Sequence, residues 1–132
     1  MIRFECDYAE GAHPRILERM IETNIEQTPG YGMDAHCERA RKLILQHCKN
    51  DNAQVHFLVG GTQTNMTVIA ATLRPHQGVI SADTGHINGH ETGAIEATGH
   101  KVLALESVDG KITADQIEQM VQAHWNDATH EH

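Results

Sequence analysis

Two short stretches concentrate side chains able to do chemistry. The first, Phe57 to Ile69, reads FLVGGTQTNMTVI and sets two adjacent glycines before Thr62, Gln63, Thr64 and Asn65. The second, Asp83 to Glu91, reads DTGHINGHE and carries His86 and His90 four apart with a carboxylate behind them. Glycines followed by hydroxyls at a helix start make a seat for a phosphate. The first-turn amides lack internal partners, the peptide dipoles make that end electropositive, and glycine lets an anion reach the backbone without meeting a Cβ atom. The same residues also suit a plain strand-to-helix turn in which Thr62 or Thr64 is only a cap. No nucleotide fingerprint is present, because no Lys-Ser/Thr pair follows the glycines and G-x-G-x-x-G is missing.

The histidines raise the question of a metal. There are 11 in the chain, three of them in the closing HWNDATHEH. His86 and His90 could share one helical face, but Asn88-Gly89 between them argues against a continuous helix there. The order H-x-x-x-H-E also differs from the zinc hydrolase pattern H-E-x-x-H, which puts the general base inside the histidine pair. The expectation is no metal site and solvated tail histidines. Cys6, Cys37 and Cys48 form no C-x-x-C pair and are odd in number, which suits reduced thiols and a cytoplasmic setting.

These residues need elements to hold them. Val55 to Val59 is short, β-branched and aromatic, and reads as a buried strand. Met66, Ile69, Ala70 and Leu73 then recur at helical spacing. Gly78 to Ala82 and Lys101 to Leu105 read as two further strands. Between them a helix is expected over Glu91 to Thr98, stopped by Gly99 in a left-handed cap. Thr113 and Gln116 form a T-x-x-Q capping box for a last helix whose inner face is Ile117, Met120, Val121 and His124. Upstream, Pro14 opens a helix with one apolar face that ends before Pro29, and TPGYGMD is a glycine-bracketed loop. A second helix from Asp34 carries Cys37, Ala40, Ile44 and Cys48 on one side, so Cys37 and Cys48 are expected in the core. Two helices followed by alternating strands and helices imply an α/β fold with a largely parallel sheet covered on both faces. Ligands in such sheets sit beyond the carboxyl ends of the strands, where GGTQTN and DTGH both fall.

Composition narrows the partners. The 132 residues carry a formal net charge of −8, and no basic stripe is visible, which argues against nucleic acid. No apolar run is long enough to span a membrane, and with Met1 followed by IRFECDYAEG no signal peptide is expected. Three strands would leave an open sheet edge, so the chain is expected to be one half of something larger.

Taken in order, DYAEGAHPRIL, TPGYGMD, GGTQTN, DTGHINGHETGAIEATGHKV and VDGKITADQIE resemble the amino-terminal half of the threonine aldolase and β-eliminating lyase family. These are pyridoxal-phosphate enzymes of the aspartate aminotransferase fold. The resemblance implies the amino-terminal part of a fold-type-I large domain, a three-layer α/β/α arrangement with a mostly parallel sheet. Residues 1–50 would form an arm and helices, and 51–132 the alternating strand-helix units. It implies that Gly61 and Thr62 hold the cofactor phosphate, with Gln63 a further donor, and that His86 stacks on the pyridine ring and is the candidate acid/base. Tyr31, Gly32 and Asp34 would lie near the active site at a subunit boundary. The segment with Cys6 and Asp7 would reach toward the substrate carboxylate, Cys6 standing where many members have serine. The lysine that bonds the cofactor and the aspartate that pairs with the pyridine nitrogen belong to a later portion. Lys101 and Lys111 are not in that lysine's context, so the chain alone is expected to be inert. The implied activity is cleavage of threonine-like β-hydroxy-α-amino acids to glycine and an aldehyde, in a homodimer or homotetramer. A β-eliminating lyase of the same family is the alternative, and a non-catalytic anion- or metal-binding α/β module is the alternative of another class.

Overall fold

The computed structural model describes residues 4–6, 8–50 and 52–129, and the chain divides into two compact units, Met1–His56 and Phe57–His132.

The first unit holds α1, Pro14–Thr23, and α2, Ala35–Cys48. Pro14 takes the first helical position, where its missing N–H costs nothing. The His13 ring caps α1 by accepting from the Arg15 amide at 3.2 Å. Ile16, Leu17, Met20 and Ile21 form the expected apolar stripe but stay exposed, and no described residue of this unit is buried. Asp34 caps α2, its carboxylate accepting from the Cys37 amide at 2.8 Å. On the outer face Glu38 meets Lys42 at 3.3 Å and Arg41 at 3.8 Å. The cysteines depart from expectation. Cys37 is only half-buried and Cys48 is exposed. Periodicity gives α2 an apolar side, but it is covered only in part, none of its residues is buried, and that side makes no core.

The second unit is where sheet and core form. Its helices and strands run α3 (Gly61–Thr72), β1 (Val79–Ala82), α4 (His86–Gly89), β2 (Val102–Leu105) and α5 (Ala114–Asn126). β1 and β2 pair in parallel, with Val79 opposite Val102 and Ala82 opposite Leu105. The α/β class and the parallel pairing expected from the alternation are therefore present. Gly78 is required where the strands meet, because a Cβ there would sit 2.7 Å from the Lys101 carbonyl oxygen. Ile95 is wholly buried, and buried His100 bonds through Nδ1 to the Gln77 carbonyl at 3.0 Å. The capping box of α5 is complete: Gln116 N–H donates to the Thr113 hydroxyl at 3.2 Å and Thr113 N–H to Gln116 Oε1 at 2.9 Å. Met120, Val121 and His124 of α5 line a cavity of about 280 Å³ with Ile80 and Leu103 of the strands.

Two expectations are corrected here. Residues 55–59 form no strand; Val59 is 98% exposed, and its N–H is taken by the Gln63 side chain at 3.0 Å. A strand exists only against a neighbour, and the one sheet among the described residues contains β1 and β2 alone. The helix expected over Glu91–Thr98 is instead split. α4 begins at His86 and includes Asn88-Gly89, while a 3-10 turn covers Glu96–Thr98. Thr92 and Gly93 between them take left-handed φ values of 53° and 75°, which a continuous helix cannot contain. Gly99 then closes the 3-10 turn in the expected left-handed conformation, φ 89°.

Candidate functional site

The glycine turn builds an open helix end. Gly60 is the N-cap of α3 in extended backbone, and no side chain caps it. Thr62 and Thr64 are not caps, because the helix starts at Gly61 and places both inside. Thr64 instead donates its hydroxyl back to the Gly60 carbonyl at 2.9 Å. By contrast α1, α2 and α5 all have a side chain bonded to a first-turn amide. A Cβ at Gly60 or Gly61 would meet nothing within 4 Å, so the approach to the amides is open. Gln63 commits Oε1 to the Val59 amide, which leaves its amide nitrogen as the group that can donate to a ligand.

The loop after β1 is pinned from several sides. Asp83 accepts from the amides of Thr84 at 2.9 Å and Ser107 at 3.1 Å, and from the Ser107 hydroxyl. That hydroxyl, more than the amides, outweighs desolvation and holds the Asp83 carboxyl below its ordinary value. Asn88 donates to the Asp83 carbonyl at 2.7 Å, which ties α4 to the same loop. The start of α4 also needs Gly85, since a Cβ there would overlap the Ser81 hydroxyl and lie 2.9 Å from the Ala82 carbonyl oxygen.

His86 is presented at this fixed start. Its side chain is 66% exposed, and Nδ1 lies 2.8 Å from Glu91 Oε1. The same oxygen accepts from Asn65 Nδ2 of α3 at 2.6 Å. Glu91 is 3% exposed, and its other oxygen, Oε2, is buried without a hydrogen-bond partner. Burial pushes the Glu91 carboxyl up, but the bonds from His86 and Asn65, with the electrostatic pull of the imidazole, bring it net below its ordinary value. Asn65 stands four residues after Gly61, one turn along the same helix. The open amides, the carboxylate and the imidazole thus form one connected group. Sequence reading missed Glu91 and Asn65 as members. The only signal available was a carboxylate five residues after His86 and an amide in the polar cluster of α3. The His90 ring lies 5.4 Å from that of His86, tilted by 39°. Among the described residues no three His, Cys, Asp or Glu side chains gather as a metal would require.

The other expected site residues lie in the first unit. Tyr31 takes φ 62° and Gly32 φ 72°, and the Tyr31 side chain is fully exposed. Arg41 donates to the Gly32 carbonyl at 2.8 Å, which holds this turn to α2. A non-glycine residue in left-handed backbone stores about 1–3 kcal/mol and marks a place where the chain is constrained. The bond from the Cys37 amide holds the Asp34 carboxyl below its ordinary value. Cys6 is half-buried, and Asp7 lies outside the described residues.

The chain as a whole is similar to known proteins. The family model described as beta-eliminating lyase matches residues 5–132. The chain belongs to the beta-eliminating lyase family. Relatives include low specificity L-threonine aldolase of Pseudomonas aeruginosa, 31% identical over 117 residues, covering 87% of this chain and 34% of that protein. A second enzyme of that name, from a Pseudomonas species, is 29% identical over 124 residues, covering 89% of this chain and 34% of the relative. Among solved structures, threonine aldolase of Leishmania major superposes with a TM-score of 0.89 at 44% identity, covering 94% of this chain and 36% of that one. The chain therefore has the fold of the matching part of a threonine aldolase, and it spans about a third of the length of the curated relatives it matches. Beta-eliminating lyases and threonine aldolases are pyridoxal-phosphate enzymes. Among the described residues, no helix is long and apolar enough to cross a membrane.

Proposed function

We propose that this chain supplies the phosphate seat and the ring-stacking residue of a pyridoxal-phosphate-dependent aldehyde lyase that cleaves threonine-like β-hydroxy-α-amino acids to glycine and an aldehyde. The observation that carries the reading is the uncapped, glycine-built start of α3, joined through Asn65 and Glu91 to an exposed imidazole. An anion seat beside a planar ring is what a phosphorylated pyridine requires. The residues fit it: the amides after Gly60 and the Thr62 hydroxyl would hold the phosphate, with the Gln63 amide nitrogen as a further donor, and His86 would lie on the ring. Bound pyridoxal phosphate supplies the sink for the electron pair released when the Cα–Cβ bond breaks. His86 is the candidate to take the β-hydroxyl proton as the aldehyde forms. Tyr31, Asp34 and the Cys6–Asp7 segment are assigned to the substrate side at a subunit boundary, in a homodimer or homotetramer. Neither Lys101 nor Lys111 is assigned the covalent role, so the chain alone should not turn over.

Binding of pyridoxal phosphate, followed by equilibrium dialysis and by absorption, tests this directly. Thr62→Val keeps the shape and removes one donor to a charged group, so affinity should fall roughly tenfold or more. His86→Ala should alter the absorption of the bound cofactor. Normal affinity together with a normal spectrum would remove the basis for the reading. Because the matching family is described by β-elimination, product analysis with threonine and with a cysteine conjugate, run on the complete enzyme that contains this chain, separates the two reactions.

A further inference from the structure

We propose that Glu91 is the positioning residue of His86, and that together with Asn65 it fixes the imidazole as the Nδ1–H tautomer with Nε2 as its proton acceptor. The inference rests on the preceding reading for its catalytic meaning, but its geometry stands apart from any cofactor.

Asn65 Nδ2 and His86 Nδ1 both approach Glu91 Oε1, at 2.6 and 2.8 Å. An ionised carboxylate only accepts, so the hydrogen in the second bond belongs to Nδ1. In a neutral ring the lone pair is then on Nε2. Glu91 is buried, whereas the His86 side chain is two-thirds exposed, so the carboxylate acts from behind while the rest of the ring meets a ligand. When Nε2 takes a proton, the nearby buried carboxylate stabilises the imidazolium, the arrangement that serves histidine bases elsewhere. The second oxygen of Glu91 is buried without a partner, a cost in stability that packing alone does not explain. Asn65 does two things. It presents a donor to Oε1, which keeps that atom an acceptor, and it ties the turn carrying Glu91 to the helix that offers its open end to the anion. Among the described residues, two titratable groups contact His86: Glu91 from the turn after α4, and His90, whose ring is 5.4 Å away. Charge on His90 would act against charge on His86, so His90→Gln serves as the background for the test.

Selective labelling of histidine nitrogens, read by NMR above the histidine range and without cofactor, measures the tautomer. In the protein as it stands, and in the His90→Gln background, Nδ1–H should exceed Nε2–H on His86 by about tenfold or more, the bias of a bond to a charged acceptor. Glu91→Ala should abolish that excess and leave Nε2–H at least as abundant as Nδ1–H. Glu91→Gln should restore it, because Asn65 holds the new amide with its oxygen toward Nδ1. A loss of packing alone would not be repaired in the tautomer by this one variant. Nε2–H as the main form in the unsubstituted protein overturns the proposal, without need of any variant folding. So does an unchanged ratio in folded Glu91→Ala. Failure of pyridoxal phosphate to bind would instead remove the proposed function and leave the tautomer result standing.

Discussion

Gly85→Ala asks how firmly the fold sets the position of His86. A Cβ at this residue would overlap the Ser81 hydroxyl and stand 2.9 Å from the Ala82 carbonyl oxygen. The backbone is not the obstacle, since φ is −63° and any residue adopts it. The two obstacles differ in kind. The hydroxyl, which donates to the Ala82 carbonyl at 3.0 Å, can rotate away and lose that bond. The carbonyl also accepts from the Gly85 amide at 2.8 Å and belongs to the last residue of β1, so it cannot move without disturbing the strand. Overpacking of this type costs about 1–3 kcal/mol. With urea slopes of about 1–3 kcal/mol per molar, the unfolding midpoint should fall by roughly 1 M. Ser81→Ala combined with Gly85→Ala should recover the hydroxyl's share and leave the carbonyl's share. A midpoint unchanged in the single variant would mean that the β1–α4 turn yields easily and that His86 is not rigidly placed. Full recovery in the double variant would locate all of the strain in the side chain.

Gly61→Ala should separate folding from binding. Nothing lies within 4 Å of the new Cβ, and alanine is the better helix former by up to about 1 kcal/mol, so stability should hold or rise while pyridoxal phosphate binds more weakly. Equal affinity with raised stability would refute the glycine's role in the seat. Glu91→Gln should change the acid limb of stability. Because the folded-state pKa of Glu91 lies below its ordinary value of 4.5, its ionic contribution is complete above that pH and fades as pH falls through the folded value. The stability difference between the protein and the variant should therefore shrink on acidification, and a difference flat from pH 6 to 3 would refute this. Thr113→Ala removes the capping box of α5 and should cost about 1 kcal/mol in chemical denaturation; no loss would show that the Gln116 contact to the Glu106 carbonyl alone secures that turn.

How much of this was legible in the sequence depends on how local each cause is. Thr113 and Gln116 announce α5 because both partners of the capping box lie within one turn, and Pro14 and Gly99 mark helix limits through their own backbone preferences. Parallel pairing of β1 with β2 followed from alternation, since a parallel connection needs a crossover. Residues 55–59 have strand composition without a strand, because pairing is a property of two segments and composition describes one. The same reasoning covers Cys37 and Cys48: an apolar helix face is coded locally, but its burial needs a second surface. Glu91 is the opposite failure. The carboxylate beside His90 in HINGHETG carries no local sign that it is buried or bonded to Asn65, 26 residues earlier. That bond makes the site one object rather than two neighbouring loops. The proposed anion seat belongs to α3 and the imidazole to α4, so any motion of one against the other must stretch a bond to a shared buried oxygen. The local signals GGT and DTGH pointed to the two ends of the proposed site, and the residue bonded to both was legible only in the fold.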